Sequence, residues 1–124
     1  MDISTLNLPQ AILDDNAEFI VEMQLDDNKL MKDNRFFSDY VLSIETYVTK
    51  FGLHFYVDND SETIYFYGLD NNNDHNNMIS VIFKIYKAEW IKNYLSVYKW
   101  YSLYDIQHGD EVEDMLEIFT RRGV

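Results

Sequence analysis

The chain has 124 residues, 47% of them hydrophobic and 16% aromatic, with 22 acidic against 10 basic side chains and a formal net charge of −12. That length suits one domain spanning 1–124 with its own core, and the absence of cysteine excludes disulfides, thiolate metal sites and a cysteine nucleophile together. The charge exceeds the magnitude of about 2 to 8 common for a small domain; it opposes nucleic acid and anionic lipid and favours a basic protein surface.

The opening MDISTLNLPQ carries no basic stretch and no apolar run, and no segment approaches about 18 uninterrupted apolar residues, so the expected compartment is the cytoplasm. Pro9 suits the first turn of a short helix in PQAILDDN. From Ala17 to Leu25 the residues Ala17, Phe19, Val21, Met23 and Leu25 recur at period two with Glu18, Glu22 and Gln24 opposite, which predicts a strand with one wet face, while Phe19, Ile20 and Met23 also suit the 3.6-residue period of a helix. Asp26, Asp27 and Asn28 end it as a turn.

Asp33 or Asn34 is placed to cap a helix over RFFSDYVLSIETYVTKF, where Phe36, Phe37, Tyr40, Val41, Ile44, Tyr47, Val48 and Phe51 follow i, i+3, i+4 spacing. Gly52 is its expected C′ residue, and Lys50 suits its last turn. The chain then reads as a β-hairpin: Leu53, Phe55 and Val57 alternate on one arm, Ile64 and Phe66 with Tyr65 and Tyr67 on the other, around turn formers at 58–61. The run FFSDYVLSIETYVTKFGLHFYVDNDSETIYFYG, a helix, a glycine and an acidic-tipped hairpin, is similar to the helix-and-wing part of winged-helix accessory subunits of bacterial condensin-like complexes. The resemblance covers Phe36 to Gly68 and implies, at most, an accessory subunit of a larger assembly.

Residues 70–77, DNNNDHNN, offer nothing apolar and predict an exposed loop, after which MISVIFKIYK predicts a third strand through Ile79, Val81, Phe83 and Ile85. A helix is expected over AEWIKNYLSVYKWYSLY and another over HGDEVEDMLEIFTRRGV, the latter with acids in its first turns and Arg121 and Arg122 in its last. The order β-α-β-β-β-α-α predicts an α+β domain, an antiparallel sheet of three or four strands packed by helices.

Familiar chemistry is not announced. Asp58, Asp60 and Glu62, and again Asp70, Asn72 and Asp74, begin like calcium loops, but Thr63 and His75 stand where the sixth-position glycine belongs, and Leu69 and Val81 where the bidentate glutamate belongs. The histidines at 54, 75 and 108 lack zinc-ligand spacing. No serine lies in a Gly-x-Ser-x-Gly turn, and four glycines do not accommodate a phosphate loop or a dinucleotide fingerprint. The lysine and aromatic interleaving from Lys84 to Lys99 is better explained by core demand than by base stacking. No cofactor is expected, and the chain reads as a non-enzyme.

The expected function is therefore a small acidic inhibitor that binds and occludes a basic, nucleic-acid-handling protein without contacting nucleic acid itself. It would be an immunity protein against a nuclease toxin, or a phage inhibitor of a defence nuclease such as an anti-CRISPR protein. Its expected contact residues are Asp110, Glu111, Glu113, Asp114 and Glu117, which on one helix would span about 10 Å, comparable with a few backbone phosphates. The acidic hairpin tip, Asp58, Asp60 and Glu62, is the second expected contact.

Overall fold

In the computed structural model, residues 3–124 are described. After a 3-10 turn at Ile3–Leu6 the elements run α1 (Gln10–Asp14), β1 (Phe19–Leu25), α2 (Asp27–Lys32), α3 (Phe37–Lys50), β2 (His54–Asp58), β3 (Thr63–Gly68), α4 (Asn72–Lys87), α5 (Glu89–Lys92), β4 (Leu95–Ser102), α6 (Leu103–Gln107), β5 (Glu113–Asp114) and α7 (Met115–Arg122). The fold is α+β, and the strands form one five-stranded antiparallel sheet in the order β2-β3-β1-β4-β5. Among the described residues no helix is long and apolar enough to cross a membrane.

β1 sits at the centre because its sequence can be buried on both sides. Val21, Met23 and Leu25 enter the larger core with Ile64, Phe66 and Tyr98, beneath Tyr40, Ile44 and Val48 of α3, Met78, Val81, Ile82 and Ile85 of α4, and Phe119 of α7. Ile20 points the other way, into a smaller core with Ile12, Ala17, Tyr67, Tyr101, Leu103 and Ile106. Each fully buried aliphatic or aromatic side chain contributes about 1.5–3 kcal/mol. The α3 helix and the hairpin after it follow the sequence expectation. Gly52, at φ 76°, completes a Schellman end in which Leu53 N–H bonds to Val48 O at 3.3 Å and Gly52 N–H to Thr49 O at 3.0 Å. The N-cap is Phe36, without a side-chain hydrogen bond, rather than Asp33 or Asn34. Asn34 instead turns the chain at φ 60°, so that Arg35 N–H returns to Leu30 O at 2.8 Å.

Three segments depart from expectation. Residues 70–77 are not a loop, and Met78–Lys87 is not a strand; from Asn72 onward they form one helix, α4. Asn71 is its N-cap, accepting from Asp74 N–H at 2.7 Å, and Asp74 Oδ2 accepts Leu69 N–H at 2.7 Å, so the polar run holds the junction from β3 into the helix. Asn77 Nδ2 also donates to Phe51 O at 3.1 Å, tying α4 to the end of α3. The buried set Met78, Val81, Ile82, Ile85 and Tyr86 has helical spacing, which outweighs β-branched propensity once a cap exists upstream. Gly68 is required here, because a Cβ on it would lie 2.9 Å from Asp74 Cβ.

The expected helix over 88–104 survives only as the single turn α5 and the start of α6 at Leu103, and Leu95–Ser102 between them is strand β4, paired with the whole of β1. Alternation decides it: Tyr98 and Trp100 face the larger core and Tyr101 the smaller one. The fifth strand, β5, pairs Lys99 with Asp114 and Trp100 with Glu113, and leaves a C-terminal helix only from Met115.

Ile82→Ala is expected to cost about 2–5 kcal/mol through the cavity it leaves, and Asn71→Ala about 1 kcal/mol through the lost cap. Asn72→Ala, one residue into the helix, is expected to change little. Denaturant midpoints of the three variants check this: were 70–77 a loop, Asn71 and Asn72 would behave alike.

Candidate functional site

The chemistry of this surface is set by where its carboxylates stand and which of them are already occupied. Asp110 and Glu111 lie in the segment after α6, Glu113 and Asp114 form β5, and Glu117 is in the first turn of α7. They do not share a helix, so the expected linear spacing fails. The β5 turn nevertheless brings all five to one open depression of about 620 Å³, which Val112, Ile118 and Arg121 also line. All five are exposed. Asp114 is partly spoken for, because its Oδ1 caps α7 by accepting from Leu116 N–H at 3.1 Å and Glu117 N–H at 3.3 Å.

The hairpin tip forms a separate patch. Asp58 Oδ1 accepts Asp60 N–H at 3.0 Å and Ser61 N–H at 3.4 Å, holding the turn. Glu62, with φ 51°, approaches Asp27, and its carboxyl is raised by partial burial and then by the Asp27 charge beside it. The tip belongs to one edge of the sheet and β5 to the other, a separation on the order of 20 Å at ordinary strand spacing. The eight expected contact residues are therefore two surfaces, not one.

A third acidic place has no counterpart in the sequence reading. Glu18 just before β1, Asp70 after β3 and Asp105 in α6 line a cleft of about 460 Å³ with Phe19, His75 and Tyr104. Burial raises the Glu18 carboxyl; the Tyr104 N–H bond at 2.7 Å opposes that shift, and the Asp70 and Asp105 charges reinforce it. These residues are far apart in the chain and meet only through strand pairing, so spacing alone could not signal them.

Neutralising partners are scarce. Among the described residues the one ion pair is His54 Nδ1 with Asp15 Oδ2 at 3.9 Å. Several lysines are spent on rings instead: Lys84 lies 4.9 Å above Phe51 and Lys92 5.2 Å above Tyr86. No group of three or more His, Asp or Glu among the described residues converges as a metal site.

Tyrosines use some of the remaining acids. Tyr67 donates to Asp15 Oδ2 at 2.8 Å and Tyr101 to Glu22 Oε1 at 2.7 Å, and Tyr65 stands opposite Glu22 in the strand register. Burial first, and then these carboxylates, push the phenols of Tyr65 and Tyr67 up to about 12. The folded state thus holds protons that the unfolded state releases near 10, so the contribution is complete below pH 10 and is lost as pH rises from about 10 to 12. Alkaline titration followed by circular dichroism is expected to show flat stability up to about pH 10 and decline above it, with a shallower decline in the Tyr65→Phe, Tyr67→Phe double variant. An unchanged slope would mean that these phenols do not carry the alkaline transition.

Comparison with protein-family models, curated proteins and solved structures finds no match to this chain.

Proposed function

We propose that the protein is a small acidic, non-enzymatic inhibitor that binds and occludes a basic, nucleic-acid-handling protein, as an immunity protein against a nuclease toxin or a phage inhibitor of a defence nuclease does. One observation carries this reading: Asp110, Glu111, Glu113, Asp114 and Glu117 are exposed around one depression in a chain of net charge −12 with almost no internal ion pairing. Carboxylates left uncompensated repel one another in the isolated protein and are relieved when a basic surface covers them. The depression is open, which suits a protein face better than an enclosed small molecule.

A second reading, a structural subunit of a larger assembly, is favoured by a different observation. Phe36 and Leu42 are each 65% exposed and Met31 74%, large apolar side chains on α2 and α3 that an assembly interface would cover.

The test has two stages. Tagged protein is used to capture its partner from host cells, and association of the purified pair is then measured against salt. On the inhibitor reading the captured protein is basic, its nuclease or nucleic-acid-binding activity is blocked, and the on-rate falls steeply with ionic strength. Asp110→Lys with Glu111→Lys is expected to slow association by about tenfold. Glu45→Lys with Glu89→Lys changes net charge equally away from the depression and is expected to act more weakly. If both doubles act alike, acidity only steers; if neither acts and Phe36→Ser with Leu42→Ser abolishes capture, the assembly reading replaces the first. A gel shift at low salt is expected to show no retardation of DNA or RNA.

A further inference from the structure

A second site lies away from the acidic edge, where α3 meets α5. Asn34, Arg35, Asp39, Tyr40, Ser43 and Trp90 line a cavity of about 330 Å³, at the lower end of the range for small-molecule pockets. Two of its lining residues, Tyr40 and Trp90, form an aromatic wall, and the other four are polar. Trp90 is stacked on Tyr40 with centroids 5.8 Å apart and planes at 23°, and Tyr94 meets Tyr40 edge-on at 5.7 Å. Trp90 remains 44% exposed, so much of its indole is open to a further ring.

Tyr40 supplies the second observation. It is only 5% exposed, and its hydroxyl is the one buried side-chain polar atom without a hydrogen-bond partner among the described residues. The other buried phenols are served: Tyr98 donates to Ile82 O at 2.8 Å, and Tyr67 and Tyr101 to carboxylates. An orphaned hydroxyl is destabilising, because it has left water without a replacement. Beside it Asp33 is occupied by the Tyr94 hydroxyl, while Arg35 has no carboxylate within ion-pair distance among the described residues. The left-handed turn at Asn34 and the bond from Arg35 N–H to Leu30 O fix the backbone that carries this guanidinium.

We infer that this cavity binds a small planar carboxylate, with its ring on Trp90, its carboxylate on Arg35 and the Tyr40 hydroxyl completed by a ligand oxygen. Arginine matches a carboxylate with two parallel hydrogen bonds; the aromatic wall selects a flat body; and the cavity has room for one ring and its acid group. The Tyr40 hydroxyl is closed to solvent in the free protein, so its bond to the ligand requires the wall of the cavity to give. The site is independent of the acidic edge and of any protein partner bound there.

The full chain, labelled with nitrogen-15, is titrated with benzoate and, as the neutral counterpart, benzamide. Benzoate is expected to shift the Trp90 indole N–H and the Arg35 side-chain N–H saturably, and benzamide to bind about tenfold more weakly, the loss of one charge-assisted interaction. Arg35→Gln is expected to weaken benzoate by about tenfold or more. Tyr40→Phe is the discriminating variant: it keeps the ring and removes the orphan, so it is expected to raise the denaturation midpoint of the free protein while weakening benzoate several-fold. No saturable shift with benzoate, equal binding of benzamide, or binding unaffected by both Arg35→Gln and Tyr40→Phe overturns the inference.

Discussion

Everything in this fold depends on β1 being paired along both edges and covered on both faces. Phe19 to Met23 face Gly68 to Ile64 on one side, and Phe19 to Leu25 face Ser102 to Leu95 on the other. Over Phe19–Met23 both ladders are filled, and any one-residue slip would move Val21 and Met23 out of the larger core and Glu22 into it. Glu22 reveals how the second face is managed. It accepts the Tyr101 hydroxyl at 2.7 Å while Tyr65 faces it across the register from β3. Tyrosine suits this layer because the ring buries apolar area and the phenol returns a hydrogen bond to a carboxylate that burial would otherwise penalise. The second face is thus neither wet, as alternation in β1 suggested, nor fully apolar.

What could be read from the sequence was what local signals determine. The α3 helix carries an unbroken 3.6-residue period that ends in Gly52, and the hairpin after it has two alternating arms around turn formers, so both are legible from neighbours alone. The β4 strand was not, since Tyr94, Leu95, Tyr98 and Tyr101 also fit a helical stripe; only pairing with β1 selects the extended form, and that partner lies far away in sequence. The α4 helix failed for a different reason. Its asparagines at 71, 72 and 73 favour turns taken singly, yet Asn71 as a cap turns that preference into helix initiation. A cap is visible in sequence only when the run after it is already taken as helical. The acidic cluster was legible as composition but not as geometry, because β5 places its members by pairing with β4.

Composition also overstated how many acids are available. Asp26 caps α2 through Lys29 N–H, Asp58 holds the hairpin turn, Asp74 holds the entry to α4, and Asp114 caps α7. Each meets unpaired backbone N–H groups where a negative charge is favourable. Such carboxylates have local structural work and are poor candidates for recognition. Asp60, Asp110, Glu111, Glu113 and Glu117 cap no backbone N–H with their side chains and stand exposed, so the charge that holds local structure and the charge that stays open are carried largely by different residues.

The two proposed surfaces work over different distances, which is why a chain of net charge −12 can still hold an anion. Exposed charges more than about 8–10 Å apart are largely screened at physiological salt, so only the acids close to the Trp90 cavity weigh on it, and none of the Asp110–Glu117 set lines it. At contact the balance is local. A carboxylate about 4 Å from the Arg35 guanidinium gains about 4 kcal/mol of Coulomb energy at the effective dielectric of a protein surface, before desolvation is subtracted. Asp39 lines the same cavity and opposes it, while Asp33 is held by Tyr94. Charge alone therefore leaves a modest surplus, too small for tight binding. The stacked ring and the hydroxyl of Tyr40 must supply the rest, so that shape selects a flat ligand while the Arg35 guanidinium selects its acid group.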